Sequence, residues 1–418
     1  MTKFKFQNLR KKYSKFIYEK YSYKISDNNL EIVFYFKIEP DIIFQPKIII
    51  DLSKSDLKKW RSDLQKLDNL IFHLGLMEIP SYWKATCSPL IEIKAGYLNK
   101  KQIDWWKDLI INGMGQFFFE NKIDWRGKNF LKINSRRTVL INSTRTVLVK
   151  LKDRYLVPFA GGRDSIVTLE ELRAQKKEIA LFTVNPIEKI QEVVKVSGIK
   201  KQIIVRRLID KKLLDLNKKG YLNGHTPFTS LLSFISVLCA VIFDYKNIAF
   251  SNEKSANEGN IKYLGKIINH QWAKSSEFEK MFKYYCKKYL ARNINYFSLT
   301  RKYGELEISK ILTKFPKYFP VFSSCNNRGV RWCGNCPKCL FVYMSLYPFL
   351  KEKELLKIFG KDIFQNKKLL SVMKDLLGQG SIKPLECVGT FAESRLAFEL
   401  SKQKAKGLKK TPFLLTQF

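Results

Sequence analysis

Residues 156–172 read LVPFAGGRDSIVTLEEL. Leu156, Val157 and Phe159 close an apolar run of the kind that makes a buried parallel strand. Ile166, Leu169 and Leu172 then recur at helical spacing, so strand gives way to helix across residues 160–165. Asp164 or Ser165 suits the capping position of that helix. Gly161 and Gly162 lack a Cβ and let the backbone approach a ligand closely. A strand, a glycine turn and a helix N-terminus make an anion site, because free N–H groups point outward and the helix dipole favours negative charge. Phosphate is the expected anion. The alternative is an ordinary strand-to-helix turn that needed glycines. The turn matches neither G-x-x-x-x-G-K-[ST] nor G-x-G-x-x-G, which sets aside the Walker A loop and the dinucleotide fingerprint.

Downstream, residues 179–184, IALFTV, read as a second strand ended by Asn185 and Pro186. Residues 202–206 read as a third strand and residues 247–250, NIAF, as a fourth. Strands alternating with helices predict a parallel sheet with ligand outside the strands' carboxyl ends. Against that frame, Ala160-Gly161-Gly162-Arg163-Asp164-Ser165 resembles the pyrophosphate loop of the PP-loop ATP pyrophosphatase superfamily, usually Ser-Gly-Gly-x-Asp-Ser. Ala160 replaces the leading serine, so one hydroxyl donor is missing. The resemblance implies a HUP-like α/β fold, a parallel sheet with helices on both faces, that splits ATP into AMP and pyrophosphate. It places phosphates on the backbone of Gly161 and Gly162 and on Ser165, adenine near Asn185, and Asp164 on Mg²⁺. Arg163 either reaches a phosphate or points outward.

At 418 residues, 45% of them hydrophobic, the chain is globular and long enough for two or three domains. The opening MTKFKFQNLRKKY has no apolar core of a signal peptide, and the apolar stretch 231–243 is too short to span a bilayer. The expectation is a cytoplasmic protein without a membrane span. The net charge is +38, from 76 basic and 38 acidic residues. Such a field suits polyanions, whether nucleic acid or a nucleotide-sugar. The basic residues form no tail, and a lysine-rich surface set by genome composition is the alternative.

Residues 323–344 read SSCNNRGVRWCGNCPKCLFVYM, with Cys325, Cys333, Cys336 and Cys339 spaced C-x7-C-x2-C-x2-C. Without a secretion signal a disulfide framework is disfavoured, and four soft thiolates suit tetrahedral Zn²⁺. An iron–sulfur cluster and a redox dithiol are the alternatives. Four closed ligands imply a structural staple for the C-terminal segment, 321–418, onto a catalytic domain spanning 151–320. The first 150 residues read as an α+β domain. Residues 30–51 suggest a small antiparallel sheet and residues 54–78 a helix with Trp60, Leu64, Leu67 and Ile71 on one face. Residues 105–119 suggest another helix, and the runs RTVLINS and RTVLVKL within 137–151 a hairpin.

Further segments sharpen the resemblance. NGHTP at 223–227 precedes a long apolar helix, and SNEKSANEGN at 251–260 follows the fourth strand. YFSL at 296–299 leads into GEL at 304–306, WCGNCPKC spans 332–339, and KPLECVG spans 383–389. In this order they resemble the UDP-N-acetylmuramoyl-L-alanyl-L-glutamate epimerase family of peptidoglycan synthesis, over roughly residues 150–400. The resemblance implies ATP-dependent inversion of the terminal L-glutamate of that UDP-linked dipeptide. An acyl adenylate would remove the carboxylate charge and acidify the α-proton, which a base then takes. Cys387, with Glu386 beside it, is the candidate acid/base group; a small buried hydrophobe is the other reading of that thiol. Asn252, Glu253, Ser255 and Asn260 are candidate substrate contacts, or members of a solvated loop, and Glu253 or Glu258 is a candidate Mg²⁺ ligand. His225 contacts phosphate or substrate, or merely enters a helix. Lys383 and Arg395 are candidates for substrate carboxylates. The N-terminal domain is expected to help hold the UDP-sugar, and no nucleic acid is expected. The competing reading is another PP-loop enzyme, a tRNA-modifying ligase or thiolase or a 7-cyano-7-deazaguanine synthase-like enzyme; tRNA is a partner only there.

Overall fold

The computed structural model describes residues 2–53, 55, 60, 62–135, 146–327 and 329–418. Its strands, in chain order, are β1 (Lys15–Ser26), β2 (Asn29–Ile38), β3 (Ile42–Phe44), β4 (Lys47–Asp51), β5 (Leu90–Ile93), β6 (Lys132–Ser135) and β7 (Lys152–Pro158). They continue as β8 (Ile179–Val184), β9 (Gln202–Leu208), β10 (Tyr245–Phe250), β11 (Ile261–Tyr263), β12 (Lys266–Ile268) and β13 (Asn295–Ser298). The four strands expected after residue 150 are β7 to β10, and they pair in parallel in the order β10-β7-β8-β9, with β13 outside β10.

That order explains the sequence pattern. β8 is buried on both faces, so it reads as an unbroken apolar run rather than an alternation. Neighbouring side chains serve two cores. Leu156, Ala180, Phe182 and Ile248 face one core, while Val157, Leu181 and Ala249 face the other. The first core holds the helices Asp68–Trp83 and Phe228–Ile242, and the second holds Arg163–Ala174 and Pro337–Leu346. Helix Phe228–Ile242 is apolar nearly all round because it is enclosed between the sheet and helix Asp68–Trp83.

The antiparallel strands expected near residues 30–51 form, but not as a separate small sheet. β2 pairs with β1, β3 and β4, and β4 pairs antiparallel with β9. One 11-stranded sheet therefore runs from β13 through β7 and β9 to β6. β2 alternates buried and half-buried residues as a strand with one covered face should. Of the expected helix at 54–78, residues 60, 62 and 63 are helical, a short 3-10 turn follows at Leu64–Leu67, and the helix continues as Asp68–Trp83. The hairpin expected at 137–151 lies largely outside the described residues, and within them Val147 makes a single bridge to Ala291. No described helix is long and apolar enough to cross a membrane.

Candidate active site

Strand order reverses at β7. The chain moves outward through β8 and β9, then returns to lay β10 on β7's other side. The crevice at the carboxyl ends of β7 and β10 is such a fold's natural ligand site. The glycine turn stands there. Gly161 has φ +71°, and a Cβ on it would come within 3.0 Å of Val193 Cγ2, so glycine is required. Gly162, not Asp164 or Ser165, is the N-cap of helix Arg163–Ala174. Its extended backbone supplies the capping geometry, which draws Asp164 and Ser165 into the first turn; Ser165 Oγ donates back to Gly162 O at 3.0 Å.

Arg163 points away from the crevice and is fully buried. Its guanidinium donates to Ser309 Oγ at 2.9 Å, Ser345 Oγ at 3.1 Å, Asp164 Oδ1 at 3.2 Å and the Glu305 carboxylate. Burial works to raise the Asp164 pKa, but Arg163, Lys338 and Lys274 outweigh it and hold the carboxylate ionised.

A cavity of about 220 Å³ opens over the turn. Phe159, Phe182, Ile190, Phe228 and Leu232 form apolar walls, while Gly162, Asp164, Ser165, Asn252 and Lys274 supply polar groups. Ala160 lines it too. Ser251 Oγ is enclosed there without a hydrogen-bond partner among the described residues. Asn252 is fixed by donating to Ser298 Oγ at 3.0 Å. Asn185, at the end of β8, is exposed and exchanges two hydrogen bonds with the Arg207 backbone, both at 2.8 Å.

Lys274 joins two groups of residues that lie far apart in sequence. Its ammonium faces Asp164, Glu253 and the Cys387 sulfur, with Glu253 Oε1 at 4.0 Å. Burial disfavours its charge, yet Cys387, Glu253 and Asp164 together push its pKa above the usual lysine range. Glu253 is 1% exposed, and its Oε2 has no hydrogen-bond partner among the described residues.

Beyond Lys274, Cys387 Sγ lies 3.9 Å from His270 Nε2. His270 Nδ1 meets Gln116 Oε1, and its ring lies 4.7 Å from that of His225. Burial, with help from nearby Lys274, lowers the His270 pKa to about 4; burial, with His270 and Lys84, lowers that of His225 to about 3. Other candidates position this region. Glu258 Oε1 accepts from Lys383 Nζ at 3.0 Å and Phe391 N at 3.1 Å. Asn260 donates to Pro384 O at 2.7 Å and accepts from His270 N at 2.8 Å. Ser255 Oγ turns to Glu305 Oε1 at 3.1 Å. Glu386 Oε2 accepts from Lys338 N at 3.2 Å and Asn326 Nδ2 at 3.3 Å. Arg395 Nε bonds Leu377 O at 2.8 Å.

The Sγ atoms of Cys325, Cys333, Cys336 and Cys339 all lie within 4.8 Å of one another, and Cys333 and Cys339 are 3.6 Å apart. Tetrahedral zinc with Zn–S near 2.3 Å requires sulfur spacings of about 3.8 Å, so the four thiols fit such an ion. Gly334 turns the knuckle at φ +66°, and Asn335 N and Cys339 N point at Cys333 and Cys336 sulfurs. The knuckle reaches both halves of the crevice. Ser323 N donates to Gly161 O at 3.1 Å, Arg163 N donates to Ser324 Oγ at 3.4 Å, and Lys338 Nζ donates to Cys387 O.

Two family models match the chain: the MurL N-terminal domain over residues 7–299 and the MurL C-terminal domain over residues 321–415. The chain belongs to the MurL family. Its relatives named UDP-N-acetyl-alpha-D-muramoyl-L-alanyl-L-glutamate epimerase include one from Salinispora tropica, 39% identical over 253 residues. That match covers 59% of this chain and 55% of the relative. One from Micromonospora is 38% identical over 59% of this chain and 56% of the relative. Matched to these two MurL relatives, the chain spans little more than half their length. A third, from Xanthomonas oryzae pv. oryzae, is 31% identical over 80% of this chain and 74% of the relative. Among solved structures, a predicted subunit of tRNA methyltransferase from Methanocaldococcus jannaschii is 16% identical, with a TM-score of 0.26 over 39% of this chain and 76% of that one. The MurL N-terminal model takes in every strand of the 11-stranded sheet as well as the β11–β12 hairpin.

His270, Lys274 and Gln116 were not singled out from sequence, and Lys338 was read there only as offsetting the charge of the four thiolates. Lys274 is one of many lysines, and only the fold distinguishes it. His270 carried one usable signal, since the chain has only three histidines.

Proposed function

We propose that the chain is an ATP-dependent epimerase that converts the terminal L-glutamate of UDP-N-acetylmuramoyl-L-alanyl-L-glutamate to its D-isomer, for peptidoglycan precursors. The observation that carries this reading is Lys274, one cation held between the glycine turn and Cys387. Activation and proton transfer then share one crevice. The backbone of residues 161–165 holds the phosphates at a helix N-terminus. Attack of the substrate carboxylate on the α-phosphorus gives an acyl adenylate and releases pyrophosphate. With the carboxylate charge gone, the α-proton leaves toward one face and another returns from the opposite face, one of the two moved by Cys387. Water then cleaves the adenylate, giving AMP and the D-isomer.

Asp164 and the unpartnered Oε2 of Glu253 fit Mg²⁺, which would neutralise phosphate oxygens when bound. Glu258 fits less well, because Lys383 and the Phe391 amide already occupy it. The four cysteines fit a structural Zn²⁺, which would fasten the knuckle to both the turn and the Cys387 segment.

The test is incubation with ATP, Mg²⁺ and the UDP-linked dipeptide in deuterated water. The expected products are AMP and D-glutamate carrying deuterium at Cα. Lys274→Ala is expected to lower AMP formation about 100-fold, the scale of removing one charge-stabilising donor. Folded, metal-loaded protein that forms neither AMP nor D-glutamate overturns the reading. The net charge of +38 favours a second reading, a tRNA-modifying enzyme with the same turn. Salt-sensitive tRNA binding followed by base modification supports that alternative, and its absence removes it.

A further inference from the structure

The environment of Cys387 fixes which proton it handles. Gln116 lies on the helix Gly115–Glu120, within the first 150 residues. Its Nε2 donates to Glu120 Oε1 at 2.7 Å. A carboxylate only accepts, so the amide nitrogen must face Glu120 and the amide oxygen must face His270. The His270 Nδ1 atom therefore carries hydrogen, and Nε2 presents a lone pair toward Cys387 Sγ, 3.9 Å away. A sulfur facing that lone pair is placed to present its hydrogen to it, with the Lys274 ammonium beside it to stabilise the thiolate left when the hydrogen departs. A thiol gives a proton and cannot take one.

We infer that Glu120, Gln116, His270 and Cys387 form a four-member chain that makes Cys387 the proton donor completing inversion, with Gln116 and Glu120 as positioning residues. This rests on the epimerase reading and assigns the direction that reading leaves open. In the step, the S–H bond breaks and its electron pair stays on sulfur. The proton forms the new Cα–H bond as the enolate pair returns to carbon and the acyl carbonyl is restored. The resulting thiolate lies beside the Lys274 ammonium, which neutralises it. Hydrogen then returns to sulfur from solvent by way of Nε2. Burial and the nearby Lys274 and Lys338 keep the imidazole neutral at neutral pH, against the pull of Glu120. His225 lies tilted against the same ring and is also held neutral. The helix that orients the imidazole comes from the N-terminal part of the chain, so that part reaches the reacting centre itself.

Two measurements test this. The first uses Cys387→Ala with ATP, Mg²⁺ and the dipeptide substrate in deuterated water. The expected result is AMP release with L-glutamate returned carrying deuterium at Cα, and inversion reduced about 100-fold. Loss of exchange together with inversion makes Cys387 the base and overturns the assignment; inversion at the normal rate overturns it as well. Gln116→Leu is expected to slow inversion about tenfold while AMP release continues, and Gln116→Glu to recover less than wild type, because a carboxylate beside Glu120 repels. The second measurement needs no reaction. In protein labelled with ¹⁵N-histidine, the three side chains are few enough to resolve, and His270→Gln identifies the signal. The neutral Nδ1–H tautomer at neutral pH is expected, shifting on Cys387→Ala and lost on Gln116→Leu. An Nε2–H tautomer or an imidazolium overturns the chain. If wild type forms no AMP, the epimerase reading fails, while the imidazole spectrum still decides the hydrogen-bond chain.

Discussion

Arg163 directs every described guanidinium contact to protein partners. The consequence is a large penalty for removing it, since Glu305 is fully buried and would be left without its cationic partner. Arg163→Met is expected to cost about 3–5 kcal/mol in urea unfolding. The double variant Arg163→Met with Glu305→Leu should recover most of that, because replacing both charges removes the uncompensated one. Equal losses in the single and double variants would show that the ion pair is not the source. Sequence could place Arg163 in the turn but could not orient it. Its partners lie at 305, 309 and 345, on helices whose positions only the tertiary fold determines. Gly161 was legible for the opposite reason, since a positive φ leaves a local mark in residue type.

The cysteine knuckle acts as an element rather than as isolated ligands. It closes within fifteen residues, which made it readable from spacing alone. Its attachments were not readable, because Ser323 to Gly161 and Lys338 to Cys387 join segments far apart in the chain. Cys336→Ser is therefore expected to do two things at once. If the proposed zinc and reaction hold, metal content by mass spectrometry falls and AMP formation falls with it, because the turn and the Cys387 segment both lose an anchor. Metal loss with undiminished AMP formation would uncouple the knuckle from the crevice. The hairpin of β11 and β12 contributes similarly, with Ile268 O accepting from Asn260 N at 2.7 Å beside the His270 segment. Short polar segments like 251–260 carried a signal of function but not of role. Ser255, Glu258 and Asn260 bind other parts of the protein, while Asn252 lines the cavity.

Across the whole molecule, all three histidines are held neutral by burial: His73 to about 4, His225 to about 3 and His270 to about 4. Unfolded imidazoles titrate near pH 6.5, so between there and pH 4 the unfolded chain binds more protons than the folded one. Stability then rises with pH across that window and falls as pH drops through it. Unfolding at about pH 5 should take up about three protons through imidazoles alone. Denaturation midpoints measured on either side of the window check this, and a midpoint unchanged between about pH 5 and about pH 7.5 contradicts it. The parallel strands β7 to β10 were legible because a strand buried on both faces writes an apolar run. The β4–β9 join was not, because pairing between strands more than 150 residues apart leaves no local pattern.

That join also has a mechanical meaning. Residues 47–50 of β4 are laddered to residues 205–208 of β9, in the middle of the sheet rather than at its rim. Swinging the first 150 residues away from the glycine turn would tear that ladder open. The two parts are tied through that ladder, and any yielding that would admit the proposed UDP-linked substrate falls to the loops at the strands' carboxyl ends.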